Sequence, residues 1–215
     1  MKELDWYFDF VSGYAYLQFE MLDRLPDNVT VRCRPLLFAG LLNHFGHVGP
    51  AELAPKRQHT YRHWVWLGEQ SGIPLIMPPT HPFNSLAVLR LAIALNGDLQ
   101  AIRTIFRFIW REGRDVGDPD AISELARRLG IADATRTLSE DAVKSQLRAN
   151  TDEAADLGVF GVPTSVIDGE QFWGLDTTDM LIAYLNDPDA FSAGEYRRVG
   201  DLPIGASRKE LRHRG

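Results

Sequence analysis

Ser12 is the first residue of the chain whose type and position could do chemistry. It follows alternating apolar residues from Leu4 to Phe10 that predict a β-strand, and a helical pattern begins after Val11. Backbone N–H groups at a helix start, together with the helix dipole, can hold an anion such as a thiolate. The same serine could be a plain N-cap whose hydroxyl accepts a hydrogen bond from one of those amides. The position alone leaves both interpretations open.

Cys33 is the single cysteine of the chain, and its surroundings predict a structural role. It shares one face of a second predicted strand with Val29 and Val31, so we expect a buried thiol. One cysteine forms neither an internal disulfide nor a Cys-x-x-Cys redox pair. Redox chemistry that needs two thiols of this chain is therefore excluded.

The histidines offer weaker candidates. His59 and His63 are four residues apart, a spacing that can place two metal ligands on one helix face. No acidic residue lies between them and no cysteine is nearby, so surface or core positions are favoured over a metal site. His44 and His47 fall in a predicted loop, where they could contact a substrate carboxylate.

The composition restricts the class of protein. The 215 residues are 45% hydrophobic and 24% charged, which is ordinary for a soluble globular protein. The net charge of -6 argues against general nucleic-acid binding. No apolar run approaches the roughly 18 residues of a membrane helix, and the first strand begins too near Met1 to leave room for a signal peptide. We therefore expect a cytoplasmic protein with no nucleic-acid or membrane partner.

The elements that must position these residues follow the order βαβ, a block of helices, then ββα. A helix from Val11 towards Pro26 joins the first strand to a parallel strand at 29–34. Residues 36–50 are predicted to be a loop. A hairpin with an Asp-Gly turn precedes the last helix. The other predicted ranges are helices at 55–70, 84–95, 99–112, 119–129, 140–157 and 178–185, and strands at 164–167 and 171–173.

This order predicts an α/β thioredoxin-like fold that forms one domain over residues 1–188. A large helical insertion occupies about 41–157. Residues 189–215 read as a polar, solvated tail that could lie on a partner subunit. Its basic residues are Arg197, Arg198, Arg208, Lys209, Arg212 and Arg214.

Four segments in a fixed order carry a resemblance to a known family. They are Tyr7-Phe8-Asp9-Phe10-Val11-Ser12, Gly46-His47-Val48-Gly49-Pro50 with Lys56-Arg57, Phe160-Gly161-Val162-Pro163-Thr164, and Phe172-Trp173-Gly174-Leu175-Asp176. Over about residues 3–188 the chain resembles the 2-hydroxychromene-2-carboxylate isomerases, which group with kappa-class glutathione transferases and DsbA-like oxidoreductases. The resemblance implies a cis peptide bond before Pro163 and places Val162 beside the first helix.

The resemblance also implies a glutathione site. Ser12 would hold the sulfur, Lys56 would meet a carboxylate, and the Val162 backbone would pair with the cysteinyl unit beside Pro163. Asp176 would receive the γ-glutamyl amine. Three positions depart from the family pattern: Gly13 replaces a proline, which should loosen the turn, His47 replaces an asparagine, and Thr177 replaces an arginine.

The activity implied by the resemblance is a glutathione-dependent isomerisation in the degradation of aromatic compounds. The thiolate adds reversibly to an unsaturated small aromatic substrate, a formal double bond becomes single and rotates, and glutathione is expelled. A kappa-like transferase or peroxidase would use the same site with another electrophile. A non-catalytic thioredoxin-like binding protein would keep the groove without turnover. The relatives also imply a homodimer.

Overall fold

The computed structural model describes residues 1–206, which include one four-stranded sheet. Its strands are β1 (Lys2–Phe8), β2 (Val29–Pro35), β3 (Thr164–Ile167) and β4 (Glu170–Trp173), in the order β2-β1-β3-β4. β1 is parallel to β2 and antiparallel to β3, and β3 is antiparallel to β4. The predicted βαβ unit and terminal hairpin are confirmed, and β1 lies between β2 and β3.

The helices surround this sheet, and most of them lie between β2 and β3. None of those described in residues 1–206 is both long and apolar enough to cross a bilayer. Their bounds are α1 (Gly13–Phe19), α2 (Phe38–Phe45), α3 (Ala54–Ser71), α4 (Leu86–Ala94), α5 (Leu99–Trp110), α6 (Pro119–Arg128), α7 (Ala134–Ser139), α8 (Asp141–Asp156), α9 (Thr178–Asn186) and α10 (Gly194–Gly200).

The predicted first helix is too long. α1 ends at Phe19, and a short 3-10 helix at Leu22–Arg24 follows it. The Glu20 N–H donates to the Tyr16 carbonyl, but the Met21 N–H donates to the Gln18 carbonyl only three residues back, so the backbone tightens and the α-helix does not continue towards Pro26.

The predicted loop at 36–50 is also wrong, because it contains α2. Leu37 provides no side-chain cap; instead the Leu37 N–H donates to the Thr151 hydroxyl and the Phe38 N–H donates to the Asp9 carboxylate. These partners lie far away in sequence, so the local pattern does not show them. Gly46 ends the helix with a φ of 63°.

Two further corrections concern the later chain. α7 was not predicted, and it starts where the Asp133 carboxylate accepts from the Arg136 N–H. The tail is not wholly solvated: the Phe191 ring lies 5.7 Å from that of Tyr184. α10 follows at Gly194–Gly200. Arg208, Lys209, Arg212 and Arg214, which were predicted to belong to the solvated tail, lie outside the described residues.

The side chains of β1 and of the residues just after it lie at the centre of the core. β1 has a neighbouring strand on each edge, and helices cover its face. Trp6, Phe8 and Phe10 are fully buried, and the Phe106 ring of α5 lies 4.6–6.2 Å from theirs. Cys33 is partly buried against this cluster, and burial raises the pKa of its thiol to about 12. The prediction of a structural thiol agrees with this environment.

Candidate functional site

Ser12 lies in the turn between β1 and α1, and its hydroxyl has two partners. Its oxygen accepts from the Ala15 N–H at 3.2 Å, so the N-cap interpretation is confirmed. The hydroxyl also donates to the Val162 carbonyl, at an O–O distance of 3.4 Å, which is long for this kind of bond. An incoming sulfur could accept that hydrogen while the cap remains in place. The cap and the catalytic roles are therefore compatible.

Asp9 stabilises this turn through hydrogen bonds to the backbone. Sequence reasoning did not identify Asp9 as a site residue. Its carboxylate accepts from the N–H groups of Val11 and Phe38 at 3.1 and 2.9 Å, and its carbonyl accepts from the Ser12 N–H. The side chain is 1% exposed, and this burial raises the pKa of Asp9 to about 6 against the lowering effect of its hydrogen bonds. An acid between Phe8 and Phe10 was the available signal.

His81 supports the same turn from another side and was also missed. Its Nε2 lies 2.7 Å from the Val11 carbonyl oxygen, and its Nδ1 lies 2.7 Å from the Tyr61 hydroxyl. A carbonyl accepts only, so Nε2 carries the hydrogen. Burial lowers the pKa of His81, which favours the neutral ring. The peptide bond to Pro82 is cis.

The Val162–Pro163 peptide bond is cis, as the resemblance implied. Both residues are buried, and the Ser12 hydroxyl contacts the Val162 carbonyl. The Gly174 N–H donates to the Pro163 carbonyl at 2.9 Å, which ties this loop to the end of β4. Ser12 and the proline loop, 150 residues apart in sequence, thus form the two sides of one site.

Gln18 connects α1 to the segment that carries Asp176 and Thr177. Its amide nitrogen donates to the Gly174 carbonyl and the Thr178 hydroxyl, each at 3.1 Å, while its oxygen accepts from the Trp6 indole at 2.7 Å. The Thr177 hydroxyl donates to the same Gly174 carbonyl. This buried network fixes the 174–178 segment against α1.

Asp176 is exposed, and its charge acts on the residue two places after Ser12. The pKa of Tyr14 is raised, first by burial and then by the Asp176 carboxylate. The Asp176 carboxylate folds back over Gly174, where a Cβ would lie 2.5 Å from its Oδ1. The predicted γ-glutamyl position therefore lies near the first turn of α1, the turn that Ser12 caps.

Lys56 and His47 are less closely tied to this centre. Both are exposed, and neither side chain hydrogen-bonds to Ser12 or Val162 in the described residues. α3 runs parallel to α1, since Trp64 covers Gly13 and Gly68 lies near Leu17. Lys56 is eight residues before Trp64, about 12 Å along the helix axis, so it projects beyond the start of α1. His47 lies just after α2.

Packing explains why position 13 is a glycine, and the sequence alone did not reveal this. A Cβ at this buried position would lie 2.5 Å from Cδ2 of the Trp64 ring. The glycine therefore permits α3 to pack directly over the turn. A proline here, as the family pattern would have it, would require Trp64 to move.

The other histidines do not form a metal centre in the part of the chain that is described. No group of three or more His, Cys, Asp or Glu side chains suited to a metal occurs within residues 1–206. His63 instead contacts the Tyr14 hydroxyl, and its ring stacks on His59. The exposed His44 ring packs on Phe45.

The sheet order, the parallel β1-α1-β2 unit and the cis-proline loop opposite α1 define a thioredoxin-like protein. The chain belongs to the family of DSBA-like thioredoxin domains, whose family model matches residues 3–186. The predicted fold class, a DsbA-like thioredoxin fold with many inserted helices, is thereby confirmed.

Similar proteins carry two different names. Glutathione S-transferase kappa 1 of Rattus norvegicus is 28% identical over 205 residues, which cover 86% of this chain and 90% of that protein. The 2-hydroxychromene-2-carboxylate isomerase of Sphingobium xenophagum is 28% identical over 196 residues, which cover 86% and 99%. The predicted resemblance to both groups is confirmed.

Solved structures show the same fold. A 2-hydroxychromene-2-carboxylate isomerase aligns with a TM-score of 0.77 at 24% identity, covering 89% of this chain and all of that one. The cytosolic disulfide reductase DsbM from Pseudomonas aeruginosa, solved with GSH, aligns with a TM-score of 0.57 at 18% identity, covering 92% and 99%.

Proposed function

We propose that this protein is a glutathione-dependent isomerase of the 2-hydroxychromene-2-carboxylate type. The observation that carries the proposal is the contact between the Ser12 hydroxyl and the Val162 carbonyl beside cis-Pro163. This contact places a hydrogen-bond donor next to a backbone segment with which a peptide could pair. The names of the similar isomerases support the reaction type, and both groups of relatives support an enzyme.

The role of Ser12 follows from the chemistry of thiols. A free thiol with a pKa near 8.5 is only a few per cent thiolate at pH 7, and the thiolate is the nucleophile. A hydroxyl that donates to the sulfur stabilises the charged form. Serine suits a thiol that belongs to the cofactor, because it donates without forming a mixed disulfide.

The remaining contacts of glutathione are proposed from the family resemblance. Val162 pairs with the cysteinyl backbone beside Pro163, and Asp176 binds the γ-glutamyl amine. Lys56 and His47 are proposed to meet a carboxylate on the strength of the family resemblance, and Thr177 occupies the place of a family arginine without its charge. We also propose a cytoplasmic homodimer that acts on small aromatic substrates.

A kappa-like transferase or peroxidase is the second candidate, supported by the 28% identity to the rat enzyme. It would use the same Ser12 site with another electrophile. Dithiol oxidoreductase activity at this position is disfavoured, since Ser12 and Ala15 occupy the Cys-x-x-Cys positions. Cys33 does not substitute for them, because its raised pKa of about 12 keeps it a thiol.

The test begins with a calorimetric titration of the protein with reduced glutathione. We expect saturable one-to-one binding, followed by isomerisation of 2-hydroxychromene-2-carboxylate that requires glutathione. Conjugation of 1-chloro-2,4-dinitrobenzene as the faster reaction would favour the transferase. Glutathione binding with no turnover of either compound would indicate a binding protein. No binding at millimolar glutathione would contradict the proposal.

A further inference from the structure

Tyr14 and His63 form a polar pair that the proposed glutathione contacts do not use. Tyr14 is in the first turn of α1, two residues after Ser12, and is partly exposed. Its hydroxyl oxygen lies 2.9 Å from Nδ1 of His63 on α3. The pair thus joins α1 to α3, and the Asp176 charge acts on its Tyr14 hydroxyl.

An exposed aromatic surface continues from this pair. The His63 ring stacks on Trp66 at a centroid distance of 6.0 Å and an interplanar angle of 15°, and it also stacks on His59 at 6.0 Å. Trp66 is 52% exposed, although tryptophan is a residue that folding usually covers. A planar aromatic molecule could lie on this surface while a polar group reaches Tyr14.

A buried donor lies next to the pair. The Trp64 indole nitrogen is buried and has no hydrogen-bond partner within residues 1–206. The Trp64 ring lies edge-on to Tyr14 at 5.6 Å and covers Gly13.

We propose that the Tyr14–His63 pair binds the carbonyl oxygen of an aromatic α,β-unsaturated keto acid, while the substrate ring lies on His63 and Trp66. This inference rests on the proposed function, and it adds the side chains that contact the second substrate. Tyr14 is then a catalytic residue, because its hydroxyl contacts the oxygen on which charge develops.

The hydrogen bonds of the pair fit this role. When His63 Nδ1–H donates to the Tyr14 oxygen, the single Tyr14 hydrogen is free to donate to the substrate. Hydrogen bonds in such a chain strengthen one another. Burial and the Asp176 charge raise the pKa of Tyr14, so the phenol keeps its hydrogen at neutral pH.

The ring of 2-hydroxychromene-2-carboxylate first opens, with its hydroxyl proton passing to the phenolic oxygen, to give the keto acid. The steps that follow need no proton from the pair. The sulfur lone pair forms the C–S bond at the β-carbon, the alkene π pair moves to the neighbouring C–C bond, and the carbonyl π pair moves to oxygen. The enolate oxygen accepts the Tyr14 hydrogen bond, and the former double bond rotates. The electrons then return, the C–S bond breaks, and the thiolate leaves. A donor placed at such an oxyanion lowers the barrier to addition.

Tyr14→Phe keeps the ring and removes the hydroxyl. We expect kcat for isomerisation to fall roughly 10- to 100-fold, as loss of one hydrogen bond to a charged oxygen predicts. Calorimetric affinity for reduced glutathione should stay within about twofold. Benzylidenepyruvate, titrated by tryptophan fluorescence without glutathione, should bind about fivefold or more weakly. Tyr196→Phe is the matched control, since Tyr196 packs on Phe191 of the C-terminal segment.

His63→Phe keeps a ring for stacking and removes the hydrogen bond to Tyr14. It should lower kcat less than Tyr14→Phe does, with glutathione affinity again unchanged. A pair that only braces α1 against α3 would show a lower melting temperature with unchanged kcat and unchanged benzylidenepyruvate binding, and that result would overturn the inference.

Two outcomes separate the inference from the proposed function. If Tyr14→Phe weakens glutathione binding tenfold and leaves benzylidenepyruvate binding unchanged, Tyr14 belongs to the glutathione site and the inference is wrong. If the wild-type protein binds no glutathione, the proposed function fails. The benzylidenepyruvate titration of wild type and Tyr14→Phe still decides whether the pair recognises the keto acid.

Discussion

The oxygen and the hydrogen of the Ser12 hydroxyl make different contacts. The oxygen caps α1 through the Ala15 N–H, and the hydrogen points to Val162 across a long contact. Sequence reasoning treated the cap and the catalytic role as alternatives, whereas the geometry lets one side chain do both. The turn itself depends on Asp9, which binds backbone amides from both sides of the site.

Asp9 predicts an unusual pH dependence of stability. Its pKa is about 6 in the folded protein and 3.8 in an ordinary environment, so the folded state holds the proton more tightly. Below pH 4 this contribution is fully present, and it is lost as the pH rises to about 6. The loss approaches about 3 kcal/mol.

Urea unfolding of wild type and Asp9→Asn from pH 4 to 8 measures this effect. The variant leaves one backbone amide without its acceptor, so we expect it to be less stable than wild type at pH 4. Asparagine does not titrate, so wild type should lose up to about 3 kcal/mol relative to the variant as the pH rises, and the difference should become constant above about pH 7. A difference in unfolding free energy that is constant across the range would show that Asp9 does not titrate as described.

At the scale of elements, α1 is short, and its position depends on contacts with distant segments. α1 has seven residues, so its dipole supports an anion less than the predicted three-turn helix would. Gln18 fixes it to Trp6 on one side and to Gly174 on the other. The orientation of Ser12 relative to Asp176 therefore depends on one buried amide.

Gln18→Leu should destabilise the protein by about 2–3 kcal/mol, because the Trp6 indole N–H is left buried without an acceptor. Affinity for glutathione should also fall, since the 174–178 segment loses its link to α1. Urea unfolding and calorimetry measure the two effects. Gln100→Leu at an exposed position of α5 is the control. Equal stability of both variants would contradict the role of Gln18.

The elements with local signals were predictable from sequence, and those with distant partners were not. The alternation of β1, the Asp-Gly turn before β4 and the Asp118-Pro119 start of α6 are local, and the structure places them within a residue or two. α2 was not predicted, because the groups that cap its first amides belong to the distant residues Asp9 and Thr151. Sequence reasoning proposed Ser12 from its local pattern and Pro163 from the family resemblance, but it did not propose His81 or Gln18, whose partners are distant in sequence.

For the whole molecule, the fold brings three separate segments to one place. The sheet holds Ser12 after β1 and Pro163 before β3, and α3 crosses the turn through the contact of Trp64 with Gly13. Around the Ser12 turn, the proposed peptide contact is at Val162 and the proposed aromatic contact is at Trp66. The positions that depart from the family pattern at His47 and Thr177 are not part of the contact between Ser12 and Val162.

The ionisation of glutathione's thiol on the protein tests the account most directly. Ultraviolet titration of thiolate in the complex should give a pKa about one to two units below that of free glutathione in the wild-type protein. In Ser12→Ala the pKa should return to within about half a unit of the free value. Ser123→Ala, at an exposed position of α6, should behave like wild type. If glutathione binds equally well to wild type and Ser12→Ala and its thiol has the same pKa in both, Ser12 does not activate the thiol and the central claim is wrong.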